Sequence, residues 1–166
     1  LKLKAALEAN GMQVVMTRED DQGLYDADAS NKKAQDLQRR CELINKENPI
    51  MTVSIHQNSY TSPQIKGAQV FYYTTSKESQ ELAETVQKTL IEQVDPDNHR
   101  QAKANDSYYL LKKTESAIII VECGFLSNPE EAQKLTEEAY QQQMADAICA
   151  GIFQYLGKDT KDSDRK

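Results

Sequence analysis

Five consecutive apolar residues, Ala117-Ile118-Ile119-Ile120-Val121, run directly into Glu122 and then into Cys123-Gly124-Phe125-Leu126-Ser127-Asn128-Pro129. A run this short, rich in isoleucine and valine, predicts a strand buried on both faces. Such strands belong to parallel sheets covered by helices, and those sheets place active sites at the carboxyl ends of their strands. A carboxylate there is costly unless it is paired, hydrogen-bonded, metal-bound or protonated. Glu122 is therefore the first candidate functional residue.

The remaining pattern alternates strand and helix. Leu1 to Gly11 reads as the later part of a helix, with Leu3 and Leu7 four apart and Asn10-Gly11 as its stop, so further sequence is expected before Leu1. Met12 to Thr17 reads as a short buried strand, and Arg18 to Asp36 as a long polar, acidic loop. Ala34 to Asn48 is helical, with Ala34, Leu37, Cys41 and Ile44 on one stripe. Ile50 to Ile55 is a strand that delivers His56 at its end, and Ala68 to Thr75 is a β-branched and aromatic strand. A helix follows from Ser76 to about Val94, then a short basic patch at His99 to Lys103 in an irregular segment. Ser107 to Leu111 reads as a short strand or a turn. Asn128 caps a helix with Pro129 at its first position. The last helix runs from Tyr140 to Leu156 and stops at Gly157, leaving 158–166 as a solvated, disordered tail. Helix-length connections between strands imply an α/β three-layer sandwich: a mainly parallel or mixed central sheet with helices on both faces.

Composition narrows the function classes. The 166 residues suit a single domain, and a net charge of -6 gives no electrostatic case for nucleic acid or an anionic membrane surface. No stretch approaches the ~18 apolar residues of a spanning helix. Three cysteines, Cys41, Cys123 and Cys149, cannot form a complete disulfide framework.

Two polar residues end buried strands, His56 and Glu122. Histidine serves as a metal ligand or acid–base group, and glutamate as a ligand or general base. The chain has no phosphate-binding glycine loop, no G-x-S-x-G elbow and no C-x-x-C pair. Cys123 is a poor nucleophile candidate, because neighbours on a strand point to opposite faces and it should face the packing. His99 reads as a solvated surface residue, and Arg40 as either a surface or a site-facing arginine. Tyr72, Tyr73, Tyr108 and Tyr109 read as core or rim aromatics, one of which could line a groove.

At this point the chain resembles the zinc-dependent N-acetylmuramoyl-L-alanine amidases of peptidoglycan. The matching pieces are Met16-Thr17-Arg18, Leu37-x-x-Arg40 leading to Ile44-Asn45, Ser54-Ile55-His56-Gln57-Asn58, Gly67-Ala68-Gln69-Val70-Phe71-Tyr72-Tyr73 and Val121-Glu122-Cys123-Gly124-Phe125-Leu126-Ser127-Asn128-Pro129. Arg100-Gln101-Ala102-Lys103-Ala104 and Tyr108-Tyr109-Leu110-Leu111 resemble the germination-specific branch of spore formers. The resemblance implies a catalytic domain over 1–157, exported to the cell wall or the forespore intermembrane space, with peptidoglycan as substrate and muramic-δ-lactam formation in the spore cortex as its setting. It implies that His56 is a zinc ligand, that Glu122 is the catalytic carboxylate, and that Arg40 and Asn58 bind substrate or support the site. The family's other two zinc ligands, a histidine in a Gly-His-Gly turn and a glutamate, match no position here and are expected before Leu1.

The missing ligands leave a second reading, a non-catalytic peptidoglycan-binding or regulatory module of the same fold. A different zinc hydrolase fits the residue types but no motif. An activating protein or a homodimer could order the site, with the acidic Arg18–Asp36 loop as one docking place.

Overall fold

The computed structural model describes residues 1–163. The elements run α1 (Lys2–Ala9), α2 (Lys32–Glu47), β1 (Met51–Asn58), β2 (Gln69–Tyr72), α3 (Lys77–Gln93), β3 (Lys103–Ala104), α4 (Tyr109–Lys113), β4 (Ala117–Phe125), α5 (Pro129–Lys134) and α6 (Glu138–Ser163). The described strands form one mixed sheet in the order β1-β4-β2-β3. β1 and β4 are parallel, β2 is antiparallel to β4, and β3 is parallel to β2.

β4 lies inside the sheet, and every residue from Ile118 to Phe125 is buried. Its alternation divides the core between two layers of helix. Ile119, Val121 and Cys123 point to one side, where Val70 of β2 joins Leu7 of α1, Leu82, Val86 and Leu90 of α3, and Met144, Ile148 and Ile152 of α6. Ile118 and Ile120 point to the other, with Phe71 of β2, Cys41 of α2, and Leu110 and Leu111 of α4. The three-layer sandwich expected from the sequence is the observed architecture.

Three helix starts, those of α2, α3 and α5, follow the side chains that cap them. The Asn31, Ser76 and Asn128 side chains accept the N–H of Ala34, Ser79 and Glu131, satisfying donors that a first turn leaves unpaired. Asn48 closes α2 in the left-handed conformation, with φ 46°.

Several local expectations are corrected. Residues 12–17 form no strand, because no described segment pairs with them in a ladder. Met12 and Val14 still pack on the core, while Val15 is 55% exposed. Residues 109–113 are helical, not strand or turn. Leu110 and Leu111 both enter one core cluster, which strand alternation forbids, and Asn105 Oδ1 accepts the N–H groups of Ser107 and Tyr108 to start the turn. The irregular basic patch ends in β3. α6 continues past Gly157 to Ser163. Gly157 is not among the positive-φ glycines, and a glycine ends a helix at this kind of position by adopting that conformation. Of the expected tail, 164–166 lie outside the described residues.

Gly151 sets how closely α6 packs on α3. A Cβ at Gly151 would lie 2.7 Å from Thr89 Oγ1 and 2.8 Å from Val86 Cα, and the latter is backbone that cannot swing aside. Alanine has the higher helix propensity, yet Gly151→Ala is expected to destabilise the protein by about 1–3 kcal/mol through overpacking. Urea denaturation of the two proteins measures the sign directly.

Candidate active site

The parallel ladder between β1 and β4 places His56 level with Glu122. Residues level across a ladder share a face, so both side chains point to the side of Ile118 and Ile120. Neither is the last residue of its strand, as the sequence reading had it. β1 continues to Asn58 and β4 to Phe125, because the two strands go on pairing past the site.

The pairing resumes irregularly. Two steps along β1, from His56 to Asn58, match three along β4, from Glu122 to Phe125. The extra β4 residue is a bulge, which shifts the alternation by one. Phe125 is thereby level with Asn58 and joins the face of Glu122, instead of following Cys123 to the other side. On the far side of β4, Gln69 of β2 is the antiparallel partner of Glu122. His56, Glu122, Gln69 and Phe125 thus line one end of one sheet face.

Glu122 is 7% exposed, and its Oε2 has no hydrogen-bond partner among the described residues. Burial raises its pKa above the ordinary glutamate value. An unsatisfied carboxylate oxygen inside a protein is rare and calls for an explanation in redox, catalytic or ion-binding terms. His56 reaches solvent, and its Nε2 lies 2.9 Å from Ser54 Oγ on the same face of β1. The surrounding protein, then the charges of Arg40 and Arg18, push the imidazole pKa down and favour the neutral ring. Tyr108 packs edge-on against Phe71 with ring centroids 5.6 Å apart; burial first, and Glu122 second, raise its pKa.

Cys123 faces the opposite core layer, as strand alternation requires. Burial, and secondarily Glu122, push its thiol up to about 12, so it stays protonated and is no nucleophile.

Arg40 is engaged with protein groups. Its Nε donates to Asp36 Oδ2 at 2.6 Å, its Nη2 to Asp36 Oδ1 at 3.1 Å and its Nη1 to Thr17 Oγ1 at 2.9 Å. Asp36 Oδ1 also accepts the Leu24 N–H at 2.7 Å, so the Asp36–Arg40 pair ties the acidic loop, α2 and the 12–17 segment together. Asn58 turns its Oδ1 to the Ser59 N–H at 2.8 Å, and its backbone oxygen accepts the Leu126 N–H at 2.8 Å. Both residues stand at the edge of the site as scaffold in this arrangement.

The sequence reading passed over Glu131. This carboxylate, also 7% exposed, accepts the Gly67 N–H on Oε1 and the Phe125 N–H on Oε2, each at 2.8 Å. It fastens the bulged end of β4 to the start of β2. The position of Glu131 three residues after Asn128, in the capping register, was the one signal in the sequence that pointed to it.

Zinc would need three protein ligands and a water. Among the described residues no group of three His, Cys, Asp or Glu side chains converges, and His56 is the single imidazole beside Glu122. The donors present do not by themselves make a zinc site.

A family model for N-acetylmuramoyl-L-alanine amidase matches residues 1–154, and the chain belongs to that family. The germination-specific N-acetylmuramoyl-L-alanine amidase of Bacillus subtilis is 35% identical over 158 residues, covering 93% of this chain. This chain spans 66% of the length of that curated relative. The CwlD amidase of Clostridioides difficile, solved in complex with the GerS lipoprotein, has a TM-score of 0.91 and 40% identity, covering 94% of this chain and 81% of that one. An N-acetylmuramoyl-L-alanine amidase from Clostridium difficile 630 has a TM-score of 0.82 and 33% identity, covering 94% and 78%.

The Asp36–Arg40 pair gives a pH test of the scaffold. The Arg40 hydrogen bond, helped by the Leu24 N–H, holds the Asp36 pKa below its ordinary 3.8 in spite of burial. A depressed folded-state pKa contributes stability that is present above the unfolded value and lost as pH falls through the folded one. Asp36→Asn is therefore expected to cost about 1.5–3 kcal/mol at neutral pH. That deficit should shrink as the pH drops below 3.8, read from denaturant midpoints across a pH series.

Proposed function

We propose that this chain carries the catalytic domain of an N-acetylmuramoyl-L-alanine amidase, hydrolysing the amide between N-acetylmuramic acid and L-alanine in peptidoglycan. The observation that carries this reading is Glu122: a buried carboxylate with an unpartnered oxygen and a raised pKa, level with His56, in a chain of that family. In the proposed step Glu122 takes a proton from the attacking water as the new C–O bond forms. It then returns a proton to the L-alanine nitrogen as the C–N bond breaks. A base of raised pKa suits both halves, since the conjugate acid it becomes is a competent donor near neutral pH.

The likeness to the germination-specific Bacillus protein supports a setting in the spore cortex, where removing the stem peptide precedes muramic-δ-lactam formation. Action there places the protein outside the cytoplasmic membrane; no described helix is long and apolar enough to cross one. Zinc dependence is part of the proposal on the family resemblance, with His56 as the ligand that this chain supplies. With His56 the one imidazole beside Glu122, a second reading is also favoured, a binding module that holds peptidoglycan without cutting it.

Glu122→Gln in the full-length protein is expected to lower stem-peptide release from purified peptidoglycan by about 100-fold or more. The same change removes a buried charge, so the variant should melt about 2–4 °C higher near neutral pH. Undiminished release rejects the role of Glu122, and absence of release by the unaltered protein supports the binding module. The complex of the CwlD relative with a lipoprotein supports an activating protein partner here as well. The full-length protein should co-elute on size exclusion with the corresponding lipoprotein of its own organism, and separate elution rejects that partner.

A further inference from the structure

The Arg100 guanidinium lies on two residues that flank Glu122, Gln69 and Phe125, with no carboxylate among the described residues to neutralise it. Arg100 is half-buried, and three contacts fix it. Its Nε donates to Lys66 O at 2.7 Å, its Nη1 donates to Gln69 Oε1 at 3.1 Å, and its centre lies 4.9 Å from the Phe125 ring centroid. Gln69 and Phe125 are the residues that flank Glu122 on its own sheet face, one through the β2 register and the other through the β4 bulge. Arg100 therefore sits over the wall of the candidate site.

The backbone beneath Arg100 is held by hydrogen bonds. Asn98, 6% exposed, donates from Nδ2 to Ala68 O at 2.9 Å, while its Oδ1 accepts the Arg100 N–H at 3.0 Å. Gly67, at φ +98°, lets Asn98 approach: a Cβ there would lie 2.6 Å from Asn98 Oδ1. The Gly67 N–H is held in turn by Glu131. Hydrogen bonds thus run from Glu131 of α5 to the Gly67 N–H, and from the adjacent Ala68 O through Asn98 to the Arg100 backbone.

None of this supplies a counter-charge. Arg39 and Arg40 each meet an aspartate, Asp26 and Asp36, at 2.6 Å. No described carboxylate lies within ion-pair distance of Arg100, and its Nη2 has no hydrogen bond among the described residues. A half-buried cation left unpaired is costly, and a planar guanidinium with a free edge matches a carboxylate. Lys66 and His99 line the same ≈ 310 Å³ depression. Asp95 and Asp97 also line it, Asp95 Oδ1 accepting the Asp97 N–H. Acids on that wall oppose a polyanion but leave room for one small carboxylate held directly by Arg100.

We propose that Arg100 is a specificity-determining residue that receives a carboxylate on the peptide side of the scissile bond, and that this depression is the subsite for an acidic residue following L-alanine. The inference rests on the amidase reading for its substrate, but its selectivity can be measured by binding alone.

The test uses two N-acetylmuramoyl-L-alanyl peptides whose next residue is either glutamate or its neutral counterpart glutamine. Both are titrated into full-length protein carrying Glu122→Gln, and both are offered as substrates to protein with Glu122 intact. The glutamate peptide should bind about tenfold or more tightly, and kcat/KM should favour it similarly, as expected of a hydrogen-bonded charge pair. Adding Arg100→Gln should reduce both ratios to within about twofold, while Arg100→Lys, which keeps the charge, should retain part of them. Equal affinity for the two peptides before Arg100 is changed overturns the proposal. So does an equal loss for both peptides in Arg100→Gln, which would mark a purely structural arginine. A binding preference without hydrolysis by the intact protein would remove the amidase reading and leave the carboxylate subsite standing.

Discussion

The parallel pairing of β1 with β4 is the constraint on which the site depends. Ladder hydrogen bonds fix His56 level with Glu122, and a slip of one residue would send one of them to the opposite face. The hydrophobic pattern of β4 forbids that slip. Ile119, Val121 and Cys123 must meet α3 and α6, while Ile118 and Ile120 must meet α2 and α4. Core packing therefore sets the distance between the two polar residues, and the chemistry follows from the register. The bulge after His56 then turns Phe125 onto the site face and gives the Arg100 guanidinium a surface to lie on.

Two buried glutamates nine residues apart show how the fold separates structure from reactivity. Both are 7% exposed. Glu131 is satisfied by two backbone N–H groups and spends its charge joining β4 to the start of β2. Glu122 has no partner for its Oε2 among the described residues, and burial raises its pKa. The first arrangement stabilises a carboxylate in place. The second leaves a carboxylate whose proton affinity lies closer to neutrality, which is what a group that must both take and return a proton requires.

The arginines divide in the same way. Arg39 and Arg40 are neutralised by aspartates and hold the acidic loop against α2, an arrangement that local charge partners explain fully. Arg100 is positioned with comparable care, by Lys66 O, Gln69 and Phe125, but without a counter-charge. In a chain of net charge -6, a cation with no described carboxylate partner, packed on the neighbours of the candidate base, is not explained by a shortage of acids.

Much of the fold was legible in the residues because its causes are local. Side-chain caps at Asn31, Ser76 and Asn128, the apolar stripes of α2, α3 and α6, and the isoleucine run of β4 each act within a few residues. Glu122 was visible for the same reason: a carboxylate closing an apolar run is anomalous wherever that run packs. Long-range partners were not legible. Residues 12–17 have strand composition, but a strand exists only where a ladder exists. Leu110 and Leu111 chose a helix because one core cluster had room for both. Gly157 kept helical dihedrals, and α6 continued through it. The sequence by itself determined which residues had to be buried and which buried residue was out of place. Only the tertiary structure decided what stands beside it, because the register of β1, β2 and β4 and the Glu131 fastening join residues up to about seventy positions apart, and a one-dimensional pattern carries no information on that pairing.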